Sequence, residues 1–103
     1  MKRELKTPDD YEAVIAQEME YYAPMARDLG LSDDVLLQAA RLGVRDGIYN
    51  HRRNKSCKYR ESECVTWNLR HFIDLTLVRA ALLASSEEEM DKAESVLMQL
   101  IED

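Results

Sequence analysis

Residues 63–84 form a predicted helix with apolar residues on two faces, and no other feature of the sequence constrains the fold as strongly. One face carries Val65, Leu69, Phe72, Ile73, Thr76, Ala80 and Leu83. The other carries Cys64, Trp67, His71, Leu75, Val78 and Leu82. A helix that is apolar on two sides has to be covered from two directions. Either it passes through the middle of the monomer, or its second face pairs with another subunit, and the sequence leaves both open.

The second alternative predicts a homodimer, because symmetric pairs are the commonest soluble oligomers and only three other helices are available to cover this one. The predicted interface consists of residues from the second face, namely Trp67, His71, Leu75, Val78 and Leu82.

The rest of the chain is predicted to be helical because helix breakers are scarce. The 103 residues include 3 glycines and 2 prolines, and strand-like alternation is nearly absent. With 46% hydrophobic residues, the chain can bury one modest core. We therefore predict an all-α, four-helix bundle-like single domain over residues 1–103. The predicted helices span residues 8–29, 33–50, 63–84 and 87–102.

Local signals set the expected helix ends. Ser32, Ser62 and Ser86 are predicted N-caps, since a serine oxygen can accept a hydrogen bond from a free amide in the first turn. Gly30 is predicted to end the first helix. Pro24 removes a backbone amide inside that helix, so a kink or a break is predicted there.

Gly43 and Gly47 lie one turn apart on the apolar face of the second predicted helix. Each interior glycine destabilises a helix by about 1 kcal/mol relative to alanine. Two of them on a packing face predict that another backbone approaches closely within the bundle.

The segment 41–60 is strongly basic in an otherwise acidic chain. It holds 7 of the 14 Lys and Arg residues and a single acid, Asp46, whereas the whole chain has a net charge of −6. That overall charge argues against non-specific binding to duplex DNA. Residues 50–61 have no apolar period and form a predicted loop, where function is most often found. The candidate binding residues are Arg41, Arg45, Tyr49, His51, Arg52, Arg53, Lys55, Lys58, Tyr59 and Arg60.

Two interpretations of these cations remain open. Tyrosines beside arginines can stack on single-stranded nucleic acids or nucleotides. Alternatively, the basic segment docks on the chain's own acidic arms or on an acidic surface of a partner.

Residues 45–51, Arg-Asp-Gly-Ile-Tyr-Asn-His, resemble the Arg, polar residue, spacer, His motif of the HEPN superfamily of small all-helical ribonucleases. The resemblance implies that Arg45 and His51 of paired subunits face an RNA phosphate and that the histidine assists attack by the ribose hydroxyl. A guanidinium can hold a phosphate bidentately, and an imidazole can move a proton near neutral pH. Residues six apart in a straight helix point about 240° apart, so the two side chains meet only if the helix ends near Asn50.

His51, Cys57, Cys64 and His71 are residues of the types that bind zinc. Zinc ligands normally occur in pairs two to four residues apart, and neither cysteine has such a partner. We therefore predict no metal and no other cofactor. No apolar run has the length of a signal-peptide core or a membrane span, so the sequence predicts a cytoplasmic protein with reduced thiols.

The favoured hypothesis is a non-enzymatic helical interaction protein that engages a protein or ribonucleoprotein partner through residues 41–60. Small acidic helical chains without recognisable chemistry often act as inhibitors or adaptors, and many of them are encoded by phages and mobile elements. This comparison is an analogy of size and type. The alternatives are a HEPN-like ribonuclease that uses Arg45 and His51, and a module that binds a nucleotide or another small phosphate ligand.

Overall fold

The computed structural model describes residues 7–102 and places them in four packed α-helices, which confirms the predicted all-α single domain. A short 3₁₀ helix, Pro8–Tyr11, leads into α1, Glu12–Asp28. The other helices are α2, Asp33–Arg53, α3, Glu61–Leu82, and α4, Glu87–Glu102. Compared with the predicted bounds, α2 continues three residues further, and α3 begins and ends two residues earlier.

The predicted serine caps are confirmed for α2 and α4 but not for α3. Ser32 Oγ accepts a hydrogen bond from the Val35 amide at 3.3 Å, and Ser86 Oγ accepts one from the Glu89 amide at 3.1 Å. The prediction for Ser62 is wrong, because Arg60 is the N-cap residue and Ser62 lies inside the first turn of α3.

Helix α1 runs without interruption through Pro24, so of the two outcomes predicted for this proline the break does not occur. The helix ends as predicted at Gly30, which has a φ of 76°. The Leu31 amide donates to the Ala26 carbonyl at 2.8 Å and the Gly30 amide to the Arg27 carbonyl at 3.0 Å, the pair of bonds that closes a helix with a left-handed glycine.

Helices α2 and α3 form an antiparallel hairpin with very close backbones. A Cβ atom built on Gly43 would lie 2.7 Å from Leu69 Cα, and one built on Gly47 would lie 2.9 Å from Val65 Cα. Gly47 follows Gly43 in α2, whereas Val65 precedes Leu69 in α3, so the two helices are antiparallel. The predicted close approach at both glycines is confirmed.

Helix α3 has one covered face instead of two. Its fully covered residues follow a four-residue period and are Val65, Leu69, Ile73, Leu77 and Ala81. α1 packs on both α2 and α3, while α4 packs on α3 and α1. Leu83 was predicted on the same face as Val65 and Leu69, but it lies just beyond the end of α3 and is 81% exposed. The second predicted face is left largely open.

The close approach predicts that Gly43→Ala destabilises the protein even though alanine favours helices. The added methyl group would collide with the Leu69 backbone, which cannot turn away as a side chain can. We expect the free energy of unfolding to fall by about 1–3 kcal/mol, the usual range for overpacking. Denaturant unfolding followed by circular dichroism measures this change.

Gly30→Ala is the matched control, because nothing lies within 4 Å of a Cβ built at Gly30 and only the left-handed backbone opposes the substitution. Its effect should not exceed about 1–2 kcal/mol. A Gly43→Ala variant as stable as the parent protein would contradict the close α2–α3 contact.

Asp74 is a half-buried acid on α3 that sequence reasoning missed. Its Oδ1 atom is buried and has no hydrogen-bond partner among residues 7–102. Burial raises the pKa of Asp74 above its ordinary value, because the opposing effects of Tyr22, His71 and Arg70 are too small to cancel it. Burial, followed by the nearby Asp74 charge, also raises the pKa of Tyr22 to about 12. The ionised form of Asp74 therefore destabilises the folded chain.

We predict that Asp74→Asn increases the free energy of unfolding at pH 7. A raised pKa means that the folded state binds more protons than the unfolded state just above pH 3.8, so stability falls as the pH rises through that window. Asparagine has nearly the same shape and carries no charge, so the cost of burying an ionised carboxylate is removed. The advantage of the variant over the parent protein should therefore shrink as the pH is lowered toward 3.8.

Denaturant unfolding at several pH values measures both quantities. Asp91→Asn removes an exposed carboxylate on α4 and serves as the control. If Asp74→Asn were less stable than the parent protein at pH 7, Asp74 would be a stabilising anion and our account of it would be wrong.

Candidate functional site

Nine of the ten candidate binding residues lie at one end of the α2–α3 hairpin, which we call the loop end, whereas Arg41 lies near the middle of α2. It comprises the last three turns of α2, the connecting residues 54–60 and the first turn of α3. The predicted loop, 50–61, is shorter in the structure because α2 continues to Arg53. The Asn50 side chain donates to Asp46 at 2.9 Å, and Arg52 and Arg53 place cations at the negative end of the helix dipole.

Arg52 is held by an acid of α3. Its Nε donates to Glu61 Oε1 at 2.6 Å and its Nη2 to Glu61 Oε2 at 3.3 Å, while the Tyr11 hydroxyl donates to Glu61 Oε2 at 3.2 Å. Burial alone would raise the pKa of Glu61, but the hydrogen bonds and charge of Arg52 outweigh it and lower the pKa. Burial and the neighbouring Glu61 raise the pKa of Tyr11 to about 12. This network joins the 3₁₀ helix, α2 and α3.

Arg41 is also paired within the chain, with Glu12 of α1 at 3.2 Å. Two of the ten candidate binding residues therefore dock on the chain's own acids, as one of the two open interpretations of the basic segment allowed. Glu12 and Glu61 lie 29 and 9 residues from these arginines, so no local pattern in the sequence marks them as partners.

A second group of cations lines a surface groove of about 460 Å³, which we call the arginine groove. Its walls are formed by Pro8, Arg45, Ile48, Tyr49, Arg52 and Arg53. The Arg53 guanidinium carbon lies 5.3 Å from the centre of the Tyr49 ring, a cation–π contact, and the tyrosine is 61% exposed. Arg45 and Arg53 form no ion pair with any residue from 7 to 102.

The connecting residues add further exposed cations. Lys55, Lys58 and Arg60 are exposed, and within the described range none has an acidic partner. Tyr59 packs edge-on against Trp67 at 5.0 Å between ring centres, yet both rings remain about half exposed. The loop end thus presents charge together with aromatic surface.

The opposite side of the loop end carries three half-buried side chains, which we call the His–Cys cluster: His51, Cys57 and Cys64. His51 Nδ1 lies 3.3 Å from Cys64 Sγ, and the two sulfur atoms are 3.7 Å apart. Burial raises the pKa of the Cys64 thiol, and the contact with Cys57 adds to this effect. The cluster lines a cavity of about 380 Å³ that Trp67 and His71 also line.

The structure places Arg45 and His51 on different sides of α2. Arg45 lines the arginine groove, whereas His51 lines the cavity of the His–Cys cluster. The two could share a site within one chain only if the helix ended near Asn50, and α2 continues to Arg53. The ribonuclease hypothesis therefore has no support from the geometry of a single chain.

The predicted interface residues lie on the open side of α3. Trp67 is 52%, Leu75 40% and Leu82 74% exposed. His71 is exposed as well, and Val78 is half-buried. On the neighbouring helix α2, Leu42 is also exposed.

Comparisons with protein-family models, with curated proteins and with solved structures find no match for this chain. Within residues 7–102, every helix is too short or too polar to cross a lipid bilayer.

Proposed function

We propose that this protein is a non-enzymatic helical interaction protein, of the inhibitor or adaptor type, that acts in the cytoplasm. Its loop end binds an acidic surface of a protein partner, either a free protein or the protein part of a ribonucleoprotein. One observation supports this proposal above all: five exposed cations of the loop end form no ion pair with residues 7–102, and two exposed tyrosines, Tyr49 and Tyr59, belong to the same end. The five cations are Arg45, Arg53, Lys55, Lys58 and Arg60.

The arrangement favours a protein surface over a nucleic acid. The exposed cations are bordered by Glu12 and Glu61, which hold Arg41 and Arg52, and the whole chain is acidic. A long polyphosphate would be repelled beyond the loop end, whereas an acidic patch on a protein is limited in extent. Exposed tyrosine and arginine are also the residue types that contribute most to protein interfaces.

The same proposal includes a homodimer formed through the open face of α3. Trp67 and Leu75 expose apolar surface that no helix of the described chain covers. In a two-fold symmetric dimer the same helix face of both chains forms the interface, so the dimer needs no other surface of the protein.

The dimer predicts a specific response to charge on this face. Analytical ultracentrifugation of the parent protein should report the mass of two chains, and Leu75→Glu should report the mass of one, because two carboxylates would meet near the axis. Met98→Glu adds the same charge to an apolar residue of α4 that is 52% exposed, and it should remain dimeric. A parent protein that stays monomeric at all accessible concentrations would contradict this part of the proposal.

The partner interface is tested by charge reversal at the loop end. The double variant Arg53→Glu/Lys58→Glu changes two exposed cations and leaves the Arg52–Glu61 pair intact. Affinity capture from the source cells, followed by binding measurements with the purified partner, should show dissociation constants at least about tenfold weaker, or about 1.4 kcal/mol. Circular dichroism should be unchanged.

Arg79→Glu/Lys92→Glu is the matched control, because it makes the same change in net charge near the far ends of α3 and α4. It should bind the partner as the parent protein does. Partner binding that survives the loop-end reversal would refute the proposal. If nuclease treatment abolished the capture, RNA would be the ligand. If free nucleotides alone stabilised the protein, the ligand would be a small phosphate compound. Either result would replace the protein-partner proposal.

A further inference from the structure

We propose that His51, Cys57 and Cys64 form a zinc-binding site that fastens the connecting residues 54–60 to the ends of α2 and α3. This inference is independent of the proposed function, since it concerns the opposite side of the loop end and requires no partner. It also differs from the prediction of no metal, which was based on spacing along the chain.

Two of the three distances between donor atoms match the spacing of a tetrahedral zinc site. Zinc binds thiolate sulfur at about 2.3 Å and imidazole nitrogen at about 2.0–2.1 Å, so two bound sulfurs lie about 3.8 Å apart and a bound nitrogen and sulfur about 3.5 Å apart. The observed distances are 3.7 Å between the two sulfurs and 3.3 Å between His51 Nδ1 and Cys64 Sγ. All three donor atoms lie within 4.8 Å of one another.

The local fold holds these donors in place. Gly47 lies against Val65, so one turn further along α2 His51 reaches Cys64 in the first turn of α3. Cys57 is positioned by a turn in which its amide donates to the Asn54 carbonyl at 3.2 Å. The Asn54 side chain closes the same turn by accepting from the Ser56 hydroxyl at 2.9 Å. Each ligand thus comes from a different segment, which is why spacing along the chain does not reveal the site.

The histidine distinguishes a metal site from a disulfide. Two cysteines this close could also form a disulfide bond, but a disulfide makes no use of an imidazole nitrogen in contact with one of the sulfurs. The half-burial of all three side chains further suits a metal, which needs donors screened from bulk water on one side.

The charge balance is favourable as well. Two thiolates and a neutral imidazole neutralise Zn²⁺, so the bound site carries no net charge. His71 lines the same cavity but lies outside the group of three donors, so we do not assign it as a ligand.

Metal titration of the full chain tests the site. Protein stripped of metal under reducing conditions should bind one Co²⁺ per chain with thiolate-to-cobalt charge-transfer absorption, and Zn²⁺ should displace it. Cys57→Ser and His51→Ala should each weaken Zn²⁺ binding at least about tenfold in competition with a chelator. Zn²⁺ should also raise the midpoint of thermal unfolding of the parent protein.

His71→Ala is the control, since it changes a histidine of the same cavity without removing a proposed ligand; it should bind Zn²⁺ within about threefold of the parent protein. Circular dichroism checks the fold of each variant. Cys57→Ser is preferred to a substitution of Cys64, because Cys57 is a connecting residue whereas Cys64 lies in the first turn of α3. The assignment would be overturned if the parent protein did not bind Co²⁺, if Cys57→Ser did not change binding, or if His71→Ala abolished it. It would also be overturned if the protein yielded only a Cys57–Cys64 disulfide.

Discussion

The structure depends on the backbone contact between α2 and α3 at Gly43 and Gly47. Without side chains at these two positions, the helices approach to a distance that a Cβ atom would forbid, with Leu69 and Val65 directly opposite. The contact aligns the two longest helices and fixes their relative translation. Asn68 reinforces that alignment by donating to the Gly43 carbonyl and to Asp46, each at 2.9 Å. α1 and α4 then cover one side of the hairpin and leave the other open.

The geometry of the loop end follows from this alignment. Because Gly47 faces Val65, His51 meets Cys64 and Arg52 meets Glu61 at the point where the hairpin ends. The two sides of the loop end therefore differ in character. One side carries paired and exposed cations with an exposed tyrosine, and the other carries three donor atoms beside a cavity. A single packing contact thus places both the surface proposed for a partner and the donors proposed for a metal.

The sequence predicted most of the fold but only part of the site. Apolar periodicity and capping residues identified four helices, and the glycine pair identified the close contact, since these signals are local. The bounds of α2 and α3 were less accurate, because contacts across the hairpin, such as Arg52 with Glu61, extend α2 and start α3 earlier. The pairs Arg41–Glu12 and Arg70–Glu18 and the burial of Asp74 depend on tertiary packing, which a local pattern does not encode. His51, Cys57 and Cys64 were recognised in the sequence as residues of the types that bind zinc, but their proximity was not predicted, because they lie on three different segments.

Nuclear Overhauser effects across the hairpin test the central claim most directly. With the backbones in contact at both glycines, the α-protons of Gly43 and Gly47 should show strong cross-peaks to the α-protons of Leu69 and Val65, respectively. These peaks should be present in the metal-free protein, since the contact does not depend on the metal. Their absence in a spectrum where all four residues are assigned would contradict the alignment from which the geometry of the loop end follows.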